Sequence, residues 1–400
     1  MDRRDFLRLT PMAATSLAAA AAITGCRRHA IAPPLAAGLP PANLPENPCQ
    51  LPPVRVSRER VIRTVVGLRP YRPSGFRVQR EQFGDKAVIH NYGHGGGGIT
   101  LSWGSSKLAV DLGARGHVGP VAVLGSGVIG LTTARLLQDE GFDVTIYTKA
   151  LPPDTTSNIA GGQWGPSNVY ANPDSLSQEF TDQYVFACKF AYERFQITTD
   201  PRYGMRWMRN YVLGDTPFTP HPSPLGPTGK PTVAGATDAL MPEVKALKQG
   251  EHPFGNKFCL QFDGMLIEPP LFLSALLTDF RIAGGKIVVG EIRTPAEVQA
   301  LRQKLVFNCT GLGAKALFND AELTPLRGQL TILLPQPEVT YSTQWEDTYM
   351  FSRHDGVILG GTHEMGNWSL DVDESTVTKK LAKQAELFDG MRPCADVRRA

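Results

Sequence analysis

The chain has 400 residues, with 41 Lys+Arg against 38 Asp+Glu for a formal net charge of +3, and it is 42% hydrophobic and 20% charged. That is globular composition with apolar material for one large domain or two interleaved ones, and with too little basic excess for a nucleic-acid surface. The 40 Gly and 32 Pro follow no fixed period, which excludes collagen-like and solenoid repeats, and the six Cys include no Cys-x-x-Cys pair, which excludes a zinc ribbon and a disulfide-dense scaffold.

At the N-terminus, Asp2-Arg3-Arg4-Asp5-Phe6-Leu7-Arg8 precedes an Ala-rich, weakly apolar stretch from Leu9 to Ile23. The stretch is shorter than the roughly 20 apolar residues of a membrane span, and Pro11, Thr15 and Ser16 interrupt it. A twin arginine followed by Phe-Leu and a mild apolar segment is similar to a bacterial twin-arginine export signal, so residues 1–25 are expected to direct the protein to the periplasm or cell envelope. Ile23-Thr24-Gly25-Cys26 is similar to a lipobox, with Ile where Leu is usual; lipidation of Cys26 and simple cleavage with release both stay open. Residues 26–53, rich in Pro and Ala, are expected to form a stiff tether.

Val121-Ala122-Val123-Leu124 is a short apolar run of the kind that forms a buried parallel strand. It leads into Gly125-Ser126-Gly127-Val128-Ile129-Gly130, then helical spacing through Leu131, Ala134, Leu136 and Leu137, a stop at Gly141, and a strand over Asp143–Tyr147. This is the strand–GxGxxG–helix–strand context of a dinucleotide site. Gly125 permits the tight turn, Gly127 lets a pyrophosphate approach the backbone, and Gly130 lets helix and strand pack closely. The unpaired N–H groups at the helix start, beside Val128 and Ile129, and the positive helix end then face the phosphates. The acidic residue that would hold a ribose hydroxyl at the end of the second strand is missing. Thr148-Lys149 stand there, which argues against a plain NAD site. Farther on, Leu273, Leu276, Leu277 and Phe280 predict a helix face closed by Gly284-Gly285, with strands at Lys286–Val289 and from Leu305 into Asn308-Cys309-Thr310-Gly311.

The fingerprint, Thr155-Thr156-Ser157-Asn158-Ile159-Ala160-Gly161-Gly162-Gln163-Trp164, Asn308–Gly311, Arg327-Gly328-Gln329, Leu359-Gly360-Gly361-Thr362 and Gly366-Asn367-Trp368 together resemble landmarks of the D-amino-acid oxidase family, which includes D-aspartate oxidases, in that family's order. Gly67-Leu68-Arg69-Pro70-Tyr71-Arg72-Pro73 and Ile89-His90-Asn91-Tyr92-Gly93-His94-Gly95-Gly96-Gly97-Gly98-Ile99-Thr100 resemble its C-terminal blocks, yet here they precede the nucleotide-binding strand. The economical reading is a circular permutation covering about Val54 to Ala400. Its join is Ala114–Gly119, between the family's last helix, near Ser106–Leu112, and its first strand. The implied fold class is α/β: a Rossmann-like FAD-binding domain (74–170 and 257–320) interleaved with an α+β substrate domain on a mixed sheet (54–73, 171–256 and 321–400). Permutation also implies that Cys49 and Cys394 lie together, so that a disulfide ties the ends in an oxidising compartment. Cys188, Cys259 and Cys309 are expected to be packed thiols.

The resemblance implies FAD-dependent oxidation of a D-amino acid to the 2-oxo acid, ammonia and hydrogen peroxide. The partners would be the D-amino acid and O2, with no nucleic acid, and with a membrane only through a lipid on Cys26. Arg69 would clamp the substrate carboxylate, Tyr349 would donate to it, and the Gly96 carbonyl would accept from the amine. Gly95, Gly97, Gly98, Ile99 and Thr100 would wrap the isoalloxazine and stabilise charge at its N1/C2=O edge. Thr155, Thr156, Gly162, Gln163, Trp164 and Ile292 would join Gly125, Gly127, Val128, Ile129 and Gly130 as further cofactor contacts. His90 and His94 are expected to be structural, since hydride transfer from a neutral amine needs no protein base, and Arg72, in contrast to Arg69, is expected to be structural too. Gly97 stands where many members carry an aromatic, as the D-aspartate oxidase branch often has it. The second arginine expected after Gly-Gly-Thr, however, is His363, and Arg353 has no assigned place. Acidic against neutral substrate therefore stays open. So does the choice among an oxidase, a dehydrogenase or other amine oxidase of the same fold, and a non-catalytic FAD-binding envelope lipoprotein.

Overall fold

Val121 and Val123 point to one side of a sheet and Ala122 and Leu124 to the other, and all four are buried. A strand buried on both faces must be apolar throughout and must carry helices on at least one side. The computed structural model, which describes residues 47–218, 232, 233, 235–238, 240 and 242–394, supplies both faces. The export-signal and lipobox readings at residues 1–26 lie outside the described residues. No described helix is long and apolar enough to cross a membrane.

The strands, in chain order, are β1 Val61–Tyr71, β2 Arg77–Phe83, β3 Lys86–Tyr92, β4 Val121–Leu124, β5 Val144–Thr148, β6 Met205–Gly214, β7 Lys245–Leu247, β8 Phe258–Ile267, β9 Lys286–Val289, β10 Leu305–Asn308, β11 Thr324–Leu333, β12 Tyr341–Trp345, β13 Thr348–Arg353, β14 Gly356–Gly360 and β15 Glu364–Met365. They form a six-stranded sheet, β2-β3-β10-β4-β5-β9, and a nine-stranded sheet, β1-β11-β14-β13-β12-β6-β8-β7 with β15 on β11. In the smaller sheet every pairing is parallel except β2 with β3. In the larger sheet every pairing is antiparallel except β12 with β6, which makes it mixed. The architecture is thus α/β with a Rossmann-like parallel sheet beside a mixed one.

Helices Gly98–Ala114, Val128–Asp139 and Pro269–Ile282 cover one face of the smaller sheet with Leu101, Val110, Leu131, Leu137, Leu273 and Leu276. Leu131 and Leu137 are fully buried, so truncating either to Ala costs about 2–5 kcal/mol. Helix Val128–Asp139 ends where Gly141 enters the left-handed region (φ +88), and the Phe142 N–H donates back to Leu137 O at 3.1 Å. That closure satisfies a carbonyl the helix would otherwise leave open. Helix Glu374–Asp389 packs Val377, Leu381, Leu387 and Phe388 on the outer face of the larger sheet.

Two boundaries differ from the sequence reading. The end of the expected tether is docked: Leu51 is buried in the core under the larger sheet, and the Tyr341 hydroxyl donates to Pro52 O at 2.7 Å. Composition missed this because one Leu among prolines carries no periodicity. Strand β8, placed by the sequence reading within 257–320 of the FAD-binding domain, runs in the larger sheet instead, with ten residues in register against β6. The Cys49–Cys394 disulfide is present, with Cα atoms 5.3 Å apart, and Cys188, Cys259 and Cys309 are free and buried.

Candidate active site

One cavity of about 2030 Å³ runs from the C-terminal end of β4 to the inner face of the larger sheet. Of the residues singled out by sequence, Arg69, Gly95, Gly96, Gly98, Ile99, Thr100, Gly125, Gly127, Val128, Ile129, Thr155, Thr156, Gly162, Gln163, Trp164, Ile292 and Tyr349 line it. Gly97 and Gly130 do not; each is a packing position. A Cβ on Gly97 would lie 2.6 Å from a Val169 methyl, and one on Gly130 would collide with the Gly125 carbonyl.

At one end, Gly125 turns the chain out of β4 at φ +97, and a Cβ there would lie 2.6 Å from Cys309 O. Gly127 precedes helix Val128–Asp139 in extended conformation with no side-chain cap of its own. Ser157, not singled out by sequence, accepts from the Val128 N–H at 3.0 Å and ties the Thr155–Trp164 segment to the helix start. Tyr147, Thr148 and Lys149 line the cavity beyond, where the Thr148 hydroxyl is taken up by Ala150 O at 2.8 Å.

In the middle, the glycine loop after β3 leads into helix Gly98–Ala114, which also starts without a side-chain cap. Gly96 N–H donates to Asn168 O at 3.3 Å, fixing the loop against the segment that follows Trp164. The Thr100 hydroxyl accepts from Gly165 N–H at 3.1 Å, which leaves its own proton free to donate. Trp164 Nε1 and Asn91 Oδ1 are buried without a hydrogen-bond partner, and both residues line the cavity. Buried polar atoms normally find partners. The glycine turn at Gly125 and Gly127, two glycine-led helix starts and the Thr100 hydroxyl, all on one cavity, fit a bound dinucleotide with a polar ring edge.

His94 is fully buried, shares a hydrogen bond with the Ser105 hydroxyl at 2.8 Å and stacks on Phe76, and burial holds its pKa down to about 3. His90 bonds Glu81 and Asn308, and its pKa is pushed down to about 4, chiefly by burial. Arg72 pairs with Asp320 and donates to Gly75 O. None of the three is poised for proton transfer, as expected.

At the far end, β1 brings Arg69 and β13 brings Tyr349 to the same wall. Nη1 of Arg69 donates to Thr362 O at 3.1 Å and, more weakly, to Leu326 O at 3.4 Å. These bonds anchor the guanidinium and leave its other N–H groups for a ligand. The Tyr349 ring stacks on Phe351 at 4.7 Å, and its hydroxyl faces Arg69. Burial raises the Tyr349 pKa despite the opposing pull of that cation, so the group is a protonated donor. Sequence reasoning gave Gly328, Gly360 and Gly361 no role. They lie directly against Arg69 and Tyr349, and a Cβ at any of them would collide with those side chains. Their only signal was their presence in the Arg-Gly-Gln and Leu-Gly-Gly landmarks.

Arg353 now has a place: it pairs with Asp355 and donates to the Ala160 and Gly161 carbonyls, behind the site. Among the described lining residues the arginine and lysine cations are therefore Arg69 and, at the opposite end, Lys149. His363 also lines the cavity, with its pKa lowered by burial and by Arg69. Val212, Leu260, Phe262, Leu330 and Phe351 give the wall beside Arg69 and Tyr349 an apolar surface.

The family model DAO, described as FAD dependent oxidoreductase, matches residues 49–112 and 120–400. A D-amino-acid oxidase of Streptomyces coelicolor is 30% identical over 276 residues, 67% of this chain and 78% of that protein. A D-amino acid oxidase of Dugesia ryukyuensis is 29% identical over 281 residues, 68% of this chain and 79% of its own length. Among solved structures, glycine oxidase from Geobacillus kaustophilus covers 69% of this chain and 80% of its own at 16% identity, with a TM-score of 0.49.

Proposed function

This chain belongs to the DAO family of FAD-dependent oxidoreductases, and we propose that within it the protein oxidises neutral D-amino acids to 2-oxo acids, with release of ammonia and hydrogen peroxide. The observation that carries the reading is the convergence of Arg69 and Tyr349 on the cavity that begins at the Gly125–Gly130 cradle. The guanidinium offers paired donors matched to two carboxylate oxygens, and the protonated Tyr349 hydroxyl adds a third. Held at its carboxylate, the substrate loses its rotational freedom, which is the main task left to the protein. The Gly96 carbonyl takes an N–H of the neutral amine. Bound FAD supplies the two-electron acceptor. The uncapped start of helix Gly98–Ala114 and the free Thr100 proton place positive potential where negative charge develops. The apolar wall of Val212, Leu260 and Phe262 excludes water and offers no cation to an acidic side chain, which favours D-Ala, D-Val or D-Met over D-Asp.

We read the chain further as a circular permutant exported by the twin-arginine route. Two facts support the permutation: the family match breaks at 113–119, over the expected join, and a disulfide ties Cys49 to Cys394. The Arg3-Arg4 motif and a disulfide that needs an oxidising compartment support the export. The test of the activity is anaerobic addition of D- and L-amino acids to the purified flavoprotein, then admission of oxygen. Bleaching by neutral D-amino acids followed by stoichiometric peroxide is expected. Bleaching by L-amino acids alone, or by none, overturns the reading, and bleaching without peroxide makes the protein a dehydrogenase.

A further inference from the structure

The second strand of the nucleotide fold ends without the carboxylate that usually receives a ribose hydroxyl. In the parallel pairing of β5 with β9, Thr148 lies opposite Val289, and Gly290 N–H donates to Thr148 O at 2.8 Å. The chain leaving β9 is thereby pinned beside the chain leaving β5, about 4.8 Å away. The next residue is Glu291. It lines the cavity together with Lys149, and its Oε1 lies 3.5 Å from Lys149 Nζ. Its Oε2 accepts from Arg293 Nε at 2.9 Å.

We propose that Glu291 is the ribose-binding carboxylate of this protein, moved one strand over from its usual position, and that it accepts the adenosine hydroxyls of FAD while neutralising Lys149. The inference rests on the FAD reading above and extends it to the adenosine end. Three features favour Glu291 over the alternatives. The Thr148 hydroxyl, at the usual position, already donates to Ala150 O. Each Glu291 oxygen has one cationic neighbour, which leaves lone pairs for a diol. The hydrogen bond from Arg293 and the charge of Lys149 lower its pKa, so it stands ionised as an acceptor. An unpaired Lys149 at this place would favour a 2′-phosphate. Paired with Glu291, it presents no such excess of positive charge.

The test uses apo-protein stripped of flavin, with dissociation constants read from flavin fluorescence rather than turnover. The probes are FAD, FAD carrying 2′-deoxyadenosine, and FMN, which lacks the adenosine half. Wild type is expected to bind FAD more tightly than the deoxy analogue. Glu291→Gln should weaken FAD about tenfold, bind FAD and the analogue alike, and leave FMN unchanged. Glu291 is partly exposed in a loop, so the variant should fold; a thermal melt equal to wild type checks this. Equal FAD affinity in wild type and Glu291→Gln overturns the proposal. So does persistent discrimination between FAD and the analogue in that variant, or its loss in Asp154→Asn instead, since Asp154 also lines the cavity. A wild-type chain that takes up no flavin is a different result and sinks the FAD reading itself.

Discussion

The Arg69 guanidinium fills the space that a side chain at position 328 would need: a Cβ on Gly328 would lie 2.5 Å from Cζ of Arg69. The two residues sit on neighbouring antiparallel strands, where Gly67 pairs with Gly328 and Arg69 with Leu326. Gly328→Ala should therefore displace the guanidinium without breaking the strand, since the end of a flexible side chain can swing aside. The expected result is a KM for D-alanine raised at least about tenfold, full flavin content, and stability changed by less than about 1 kcal/mol. Steady-state kinetics beside a denaturation curve check it. An unchanged KM would mean that Arg69 does not hold the substrate from this position.

Arg69→Lys separates charge from shape. A lysine keeps the positive charge but cannot present two parallel N–H groups to a carboxylate, nor reach Thr362 O in the same geometry. If the paired geometry matters, kcat/KM falls by about 100-fold, and mostly through KM, because carboxylate binding acts on ground and transition states together. Retention of wild-type kcat/KM by the lysine variant would reduce the role of Arg69 to a point charge.

Two glycines of one motif should fail in different ways. Gly127 has room for part of a side chain, since the nearest atom to an added Cβ is Ser157 Oγ at 3.1 Å, but it faces the cavity. Gly127→Val should block flavin loading and leave the apo-protein melt close to wild type. Gly130 faces the Gly125 carbonyl, which is backbone and cannot move aside. Gly130→Ala should lower the apo-protein stability by about 1–3 kcal/mol as well as weakening flavin binding. Apo-protein melts and flavin absorbance together distinguish the two.

The elements whose signal is local were readable from the chain. Val121–Leu124, the glycine turn and helix Val128–Asp139 form where periodicity and glycine spacing place them, because a strand buried on both faces and a glycine-led helix start leave plain compositional marks. Arg69 and Tyr349 were found through their landmark segments and share a cavity wall only because β1, β11, β14 and β13 lie side by side in the larger sheet, a pairing no local pattern encodes. Gly328 and Glu291 escaped for related reasons. A glycine beside an arginine on another strand, and a carboxylate beside a lysine across a parallel pair, acquire meaning only once register is known. The docking of Leu51 was hidden by the prolines around it.

Two buried histidines, His90 on β3 and His94 in the turn that follows it, set a pH dependence. In the unfolded chain each takes up a proton near pH 6.5, whereas in the fold His90 resists until about 4 and His94 until about 3. Between those values the unfolded state holds more protons, so stability must fall as pH drops from 6.5 toward 4, by up to about 1.4 kcal/mol per pH unit for each histidine. His354 has its pKa raised by Glu268 and gives the opposite slope, but only above 6.5; below that it is protonated in both states. Urea unfolding at pH 7 and pH 5 should show the loss, and His94→Gln should reduce it. Equal stability at both values would contradict the burial of neutral imidazoles.

The Cys49–Cys394 bond closes a loop spanning 345 residues, so its reduction or replacement should cost about 2–4 kcal/mol while leaving the distant Arg69 wall intact. The same proximity allows a stronger test of the permutant reading. With Cα atoms 5.3 Å apart, positions 49 and 394 can be joined through a short glycine linker in place of the disulfide. The chain can then be reopened at 115–119, where Val118 is 93% exposed and added Cβ atoms on Gly116 and Gly119 would meet nothing within 4 Å. Such a chain would begin just before β4 and end after helix Gly98–Ala114, placing the glycine fingerprint first and the Arg69 strand late. Since no strand pairing of the two sheets is cut, it should fold, take up FAD and turn over the same substrates within a few-fold of wild type. Flavin absorbance and kinetics of the purified rearranged protein decide. If this chain stays insoluble while a control that keeps the natural chain order and lacks only the disulfide (Cys49→Ser with Cys394→Ser) folds, connectivity through 115–119 is required, and the segment is more than a join.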